Sequence, residues 1–186
     1  AHDLRPSSSK IAQACQAAIL HAGNEPVFWG TISTPSLAHH AMKSGNAAIM
    51  VTGSHIPFDR NGIKFYRPDG ELLKEDEPFV TSCQRELPGL LFDGDDLISP
   101  PALPVVNQAA SNGWIARSVL AFDDLLTGMK IGHYQHSAAG RDVLHEMLER
   151  LGAKVSVLNR SETFIPLDTE AVSSKDLEQA KNWALS

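Results

Sequence analysis

A serine lies three positions past an apolar run in the stretch Val51-Thr52-Gly53-Ser54-His55. It has the setting of a phosphoryl acceptor. Gly53 lets the backbone come close to a bound group, and consecutive N–H groups in such a loop can cradle a phosphate. His55, Arg60 and Lys64 add cationic or proton-transferring side chains within one hairpin. The pair Asn61-Gly62 predicts a type I′ turn that folds Lys64 back towards Ser54. Phosphoryl chemistry needs such a set: a nucleophile, a proton acceptor and positive charge facing the equatorial oxygens. Taken singly, the same residues also fit blander roles, with Ser54 and His55 as a capping pair and Lys64 as a solvated strand residue.

The elements that would position this loop are readable from periodicity. A helix is expected from Ser7 to Gly23, with Ile11, Cys15, Ile19 and Ala22 at helical spacing and Gly23 as its stop. Pro26 to Gly30 reads as a short buried strand. Thr34-Pro35 opens a helix that runs to Gly45. Ala47 to Val51 is a continuous apolar run suited to a central strand buried on both faces. Helix, strand, helix, strand is the rhythm of a parallel α/β sheet, and ligands sit outside the carboxyl ends of its strands. Further on, Ile63 to Tyr66 reads as a strand, Glu71 to Leu87 as an exposed helix, and Leu87 to Pro104 as irregular. Trp114 to Leu126 is expected to be a linking helix. A second unit begins near Thr127, with strands at Met129–His133 and Ala153–Leu158 around a helix from Ala138 to Leu151 that buries Val143, Leu144, Met147 and Leu151. The fold class is therefore α/β: a mixed, mainly parallel sheet between helices over 1–126, then the beginning of a second similar unit over 127–186.

Composition narrows the partners. Of 186 residues, 42% are hydrophobic and 20% charged, enough apolar surface to bury a core. No run approaches the ~18 apolar residues of a membrane span. The net charge of −6 disfavours nucleic acid, whose phosphates are bound by concentrated Lys and Arg. With no secretory signal and two cysteines far apart, Cys15 and Cys83, a reduced cytoplasmic setting is expected. The opening residues read as the end of a strand, and the second unit reads as incomplete, so the chain is expected to be part of a longer protein.

The stretch Val51-Thr-Gly-Ser-His-Ile-Pro-Phe-Asp-Arg-Asn-Gly-Ile-Lys64 resembles the active-site segment of the α-D-phosphohexomutases, which commonly reads Thr-Ala-Ser-His-Asn-Pro with Asn-Gly-x-Lys after it. Three flanking segments agree in order. Asp3-Leu-Arg5-Pro-Ser-Ser8 is similar to an Asp-x-Arg-x-Ser motif, Ile32-Ser-Thr-Pro-Ser-Leu37 to a Thr-Pro-x-Leu segment, and Arg67-Pro-Asp-Gly-Glu71 to the turn after the lysine. Met129 to Leu158 is similar to the start of the family's second domain. Gly53 stands where alanine is usual, and Ile56 where asparagine is usual.

The resemblance implies a phosphorylated Ser54 that exchanges its phosphoryl group with a hexose monophosphate through a bisphosphorylated sugar. It implies Mg²⁺ as cofactor, with the Ser54 phosphate as one ligand, and a hexose 1,6-bisphosphate as activator. It assigns Lys64 as general acid/base and His55 to shaping the loop near the phosphoserine, while Asp3, Arg5, Arg60 and Asn61 support the loop or substrate. The family's Asp-Gly-Asp-Gly-Asp-Arg metal loop and its later domains are not in this sequence, so the chain alone is expected to lack mutase activity. Two other classes remain. One is an anion-binding fragment that has lost the chemistry. The other is a serine hydrolase, disfavoured because the Gly-x-Ser-x-Gly elbow is absent. A zinc site at His39-His40 is disfavoured because adjacent helical residues point to different sides.

Overall fold

The computed structural model describes residues 1–54, 56–83, 92–94, 96–167 and 171–185. The architecture is mixed α/β, as the sequence pattern predicts. Its first helix, α1 (Ser8–His21), ends where Gly23 takes φ +77°. The second, α2 (Thr34–Ser44), ends on Gly45 at φ +67°. Both stops are glycines in the left-handed region that closes a helix at no steric cost. The next element, β1 (Ala48–Val51), is followed by a long loop and then β2 (Ile63–Arg67), which returns antiparallel with Val51 opposite Ile63 and Ala48 opposite Tyr66. A two-residue strand β3 (Gly70–Glu71) completes this sheet.

On its other side β1 is flanked by the chain start. Val51 N–H donates to the Ala1 carbonyl and Asp3 N–H to the Val51 carbonyl, a parallel arrangement. His2 N–H in turn reaches the Gly30 carbonyl. Residues 26–30, expected as a strand, form no ladder among the described residues. Their backbone carbonyls accept single bonds, Gly30 from His2 N–H and Phe28 from Asn107 N–H. Pairing about β1 is thus parallel on one side and antiparallel on the other.

Alternation along β1 feeds two faces. Ala48 and Met50 join Tyr66, Leu37 and Ala41 of α2, and Trp29 and Ile32 in the main core. Ile49 and Val51 share the opposite face with Phe65, towards α1. There the expected stripe Ile11, Cys15, Ile19 and Ala22 is not the buried one; Ser8, Ala12 and Gln16 are. Cys15 and Ile19 instead line a cavity of about 520 Å³ between helix and sheet, which leaves them half-buried.

The exposed helix expected over 71–87 is shorter. Glu71 is in β3, and α3 spans only Glu77–Ser82, with Pro78 in its first turn. Arg67 holds the preceding turn through Asp69 and both oxygens of Asp76. Residues 84–91 lie outside the described residues. A minimal hairpin, β4 (Phe92–Asp93) and β5 (Asp96–Leu97), follows.

The remaining elements are α4 (Ala109–Phe122), β6 (Lys130–His136), α5 (Arg141–Arg150), β7 (Lys154–Arg160) and α6 (Ser174–Ala184). Strands β6 and β7 pair in parallel around α5, the expected βαβ unit. Val143 and Leu151 are buried and Met147 half-buried, but Leu144 is 39% exposed, on the rim of a second cavity. Val143 enters the same core cluster as Ala110 and Ile115 of α4, so packing is continuous between the two parts. No described helix is long and apolar enough to cross a membrane.

Candidate active site

Ser54 lies just beyond the carboxyl end of β1, exposed, with φ +47°. Left-handed backbone is rare for a residue with a Cβ, costs roughly 1–2 kcal/mol, and persists only where the surroundings hold it. Here the hold is visible. Arg5, 7% exposed, donates through Nη2 to the carbonyls of Ser54 (3.1 Å) and Ile56 (2.9 Å). Through Nη1 it donates to those of Pro57 and Arg60, both at 2.8 Å. One guanidinium thus gathers four of the loop's carbonyls. Its Nε is paired with Asp3 Oδ2 at 3.4 Å.

Asp3 is the second hub. It reaches the loop because residues 1–3 run parallel to β1. Its carboxylate accepts from Thr52 Oγ1 (2.9 Å), Gly53 N–H (3.3 Å), Arg5 N–H (3.0 Å) and the Ser8 hydroxyl. Thr52 then accepts the Ser54 N–H at 3.1 Å, so Asp3, Thr52 and Ser54 form a relay that fixes the serine backbone and leaves its side chain to solvent.

The far limb of the loop is fixed differently from the sequence expectation. Asn61 and Gly62 do not make a type I′ turn, since neither has positive φ. Asn61 instead donates to the hydroxyls of Ser7 (3.0 Å) and Ser8 (2.8 Å) at the start of α1, and its Oδ1 accepts from Gly62 N–H. Gly62 is required by proximity: a Cβ there would sit 2.9 Å from the carbonyl of Thr52, whose own N–H donates the hairpin-closing bond to the Gly62 carbonyl. A long loop replaces the tight turn, its residues tied to Arg5 and α1 as well as to each other, through Ile56 N–H to the Gly53 carbonyl and Arg60 N–H to the Pro57 carbonyl.

Asp3, Arg5 and Asn61 are therefore brought together around Ser54. Arg60 is exposed and joins through its carbonyl. Lys64 is exposed on β2 opposite Met50, close to the hairpin closure, and makes no direct hydrogen bond to Ser54. His55 lies outside the described residues. Thr52 and Ser8 were not singled out from sequence as supports, although both stand within the quoted motifs. Their signal was a hydroxyl next to an aspartate-binding loop. His39 and His40 diverge as expected, His39 towards Trp114 and His40 edge-on to Trp29 at 4.9 Å. Both cysteines are free thiols: Cys15 is half-buried, and burial pushes it up from its ordinary pKa, whereas Cys83 is exposed.

An exposed hydroxyl on a loop held by Arg5, Asp3 and Thr52, with a cationic strand residue beyond the hairpin closure, suits a group that must accept and release a small anionic substituent. For Mg²⁺, no group of three or more His, Cys, Asp or Glu side chains among the described residues is placed to hold a metal.

Residues 1–81 match the α/β/α domain I of phosphoglucomutase/phosphomannomutase. Over 185 residues the chain is 44% identical to a phosphomannomutase from Salmonella muenchen, covering 98% of this chain and 36% of that protein. A phosphomannomutase from Sinorhizobium fredii is 45% identical over 98% of this chain and 38% of its own length. The chain thus spans little more than a third of these curated relatives. A solved phosphoglucomutase/phosphomannomutase family protein from Burkholderia thailandensis superposes over 97% of this chain with a TM-score of 0.68 at 18% identity, covering 40% of that chain, which supports the fold.

Proposed function

We propose that this chain, whose residues 1–81 match domain I of phosphoglucomutase/phosphomannomutase, is the phosphoserine-bearing part of an enzyme interconverting hexose 6-phosphate and hexose 1-phosphate. The observation that supports this best is the exposed, left-handed Ser54 held through Asp3, Thr52 and Arg5. In the forward half-reaction the P–O bond to Ser54 Oγ breaks and a new P–O bond forms to a sugar hydroxyl. The proton leaves that hydroxyl for a base, the role assigned to Lys64, and the serine oxygen is reprotonated. The bisphosphorylated sugar reorients, and the same steps reversed return its other phosphate to Ser54. Rigid placement is what this chain contributes, because phosphoryl transfer is mostly positioning and charge stabilisation. The loop's carbonyls are turned into the Arg5 guanidinium, away from an incoming anion.

Mg²⁺ when bound would neutralise charge on the transferring group, and phosphorylated Ser54 is the one ligand this chain is assigned. The division into 1–126 and a partial second unit over 127–186, the hexose 1,6-bisphosphate activator, the cytoplasmic setting and the inactivity of the isolated chain as a mutase belong to the same reading.

The test is the modification state of Ser54 in the protein isolated from the cells that make it. Peptide mapping should find one phosphoryl group on Ser54, lost in Ser54→Ala while the fold is kept. Phosphate mapped elsewhere, or never on Ser54, sinks the proposal and leaves the anion-binding fragment as the reading.

A further inference from the structure

Arg5 uses all its in-plane donors: four N–H bonds to the carbonyls of 54, 56, 57 and 60, and Nε facing Asp3. Only the two flat faces of the guanidinium remain. One is closed by Gly53. A Cβ built there would lie nearest to Cζ and within 2.6 Å of Nε and Nη1, over the plane, since an in-plane approach would meet a nitrogen first. An aromatic ring from a distant segment meets this group as well: Arg5 Cζ lies over the Phe164 ring, 5.5 Å from its centroid.

Phe164 is delivered there by the polypeptide that leaves β7. Ser137, 5% exposed at the end of β6, accepts Ile165 N–H at 2.8 Å and donates to the Ile165 carbonyl at 3.3 Å. Arg141 donates to the Ser161 carbonyl and pairs with Glu162 at 2.8 Å. Residues 161–165 are thus pinned at both ends, with Phe164 between the pins.

We propose that Phe164 is a positioning residue for the Ser54 loop, its ring capping the flat face of Arg5 that Gly53 leaves open. The ring shields the carbonyl clamp from water and adds the attraction of a π face for a cation, a contribution that grows with desolvation. This rests on the proposed role of Ser54 only for its consequence in catalysis, not for its geometry. The second part of the chain therefore does more than extend the fold: it stiffens the loop that presents the serine.

Hydrogen exchange of this protein tests it, comparing the loop amides of Thr52, Ser54, Ile56 and Arg60 with amides of β6. In Phe164→Leu, which keeps apolar bulk and removes the π face, loop amides should exchange between about twofold and thirtyfold faster while β6 is unchanged. Phe164→Tyr, which keeps the face, should restore wild-type rates. Equal loop exchange in wild type and Phe164→Leu overturns the proposal, as does a uniform acceleration across the chain or a failure of the tyrosine to rescue. Ser54 phosphoryl content is followed in parallel. Its absence in the wild type counts against the mutase reading, while the exchange data still decide the role of Phe164.

Discussion

The Ser54 loop and the end of the β6–α5–β7 unit are built on the same device, yet only one exposes a nucleophile. Each has non-glycine residues with positive φ, Ser54 at +47° in the first and His136 (+32°) and Asn159 (+42°) in the second. Each is tied by a nearly buried arginine, Arg5 at 7% and Arg141 at 5% exposure, that donates to loop carbonyls. The difference lies in what completes the arginine. Arg5 has the half-buried Asp3 and four carbonyls; Arg141 has two carbonyls and Glu162, whose carboxylate is open to solvent and shared with Arg160. The serine of the second region, Ser137, spends its hydroxyl on the Ile165 backbone, whereas Ser54 keeps its own free among the described residues. A buried guanidinium can rigidify any irregular loop. Reactivity depends on which side chain the rigid loop leaves outside.

The comparison breaks first at the arginines. Arg5→Ala leaves Asp3 half-buried without its cation and removes the guanidinium from four loop carbonyls, and should cost about 3–5 kcal/mol of stability. Arg141→Ala should cost distinctly less, because water replaces it at Glu162. Urea denaturation of the two variants checks the order, and equal costs would erase the distinction drawn here.

A finer probe is Gly53→Ala. Its Cβ would enter the space above the Arg5 guanidinium, so the clamp must shift, at an expected cost of about 1–3 kcal/mol. In an Arg5→Ala background that cost should nearly vanish, which a double-mutant cycle measures directly.

The smallest expected effect is pH dependence in the second region. Burial, reinforced by His145 and His136, holds His133 below the ordinary histidine pKa, and burial with the Arg141 charge does the same for His136; Asp142 opposes this weakly at His133. The unfolded chain takes up protons near pH 6.5 while the folded one resists them, so stability is full above that pH and declines as pH falls through and below it. Thermal melts from pH 7.5 to 5 should show this decline, and His133→Gln should flatten it. A decline that survives both His133→Gln and His136→Gln places its origin elsewhere.

Much of the scaffold could be read locally. Gly23 and Gly45 stop their helices where the periodicity ends, and the apolar run before Ser54 is β1, because these outcomes depend on neighbours in sequence. The motif around Ser54 and the roles of Asp3 and Arg5 as its companions were also legible, through the order and spacing of short matches. Where local signals failed, a distant partner had outbid them. Asn61-Gly62 has the chemistry of a tight turn, but the Asn61 amide bonds Ser7 and Ser8 instead. Pro26 to Gly30 has strand-like composition and lacks a ladder partner among the described residues. The α1 stripe followed helical period correctly, yet a cavity lies beneath Cys15 and Ile19.

The sequence by itself determined which side chains could carry the chemistry and which segments could present them, since residue type and short-range backbone preference are local properties. Only the tertiary structure decided that one guanidinium would gather the carbonyls of 54, 56, 57 and 60, that Gly53 would lie on its face, and that Phe164 would reach it from beyond β7. Those contacts join residues far apart in the chain, and their free energy comes from burying a charge with every donor satisfied, a condition that no local stretch of sequence can express.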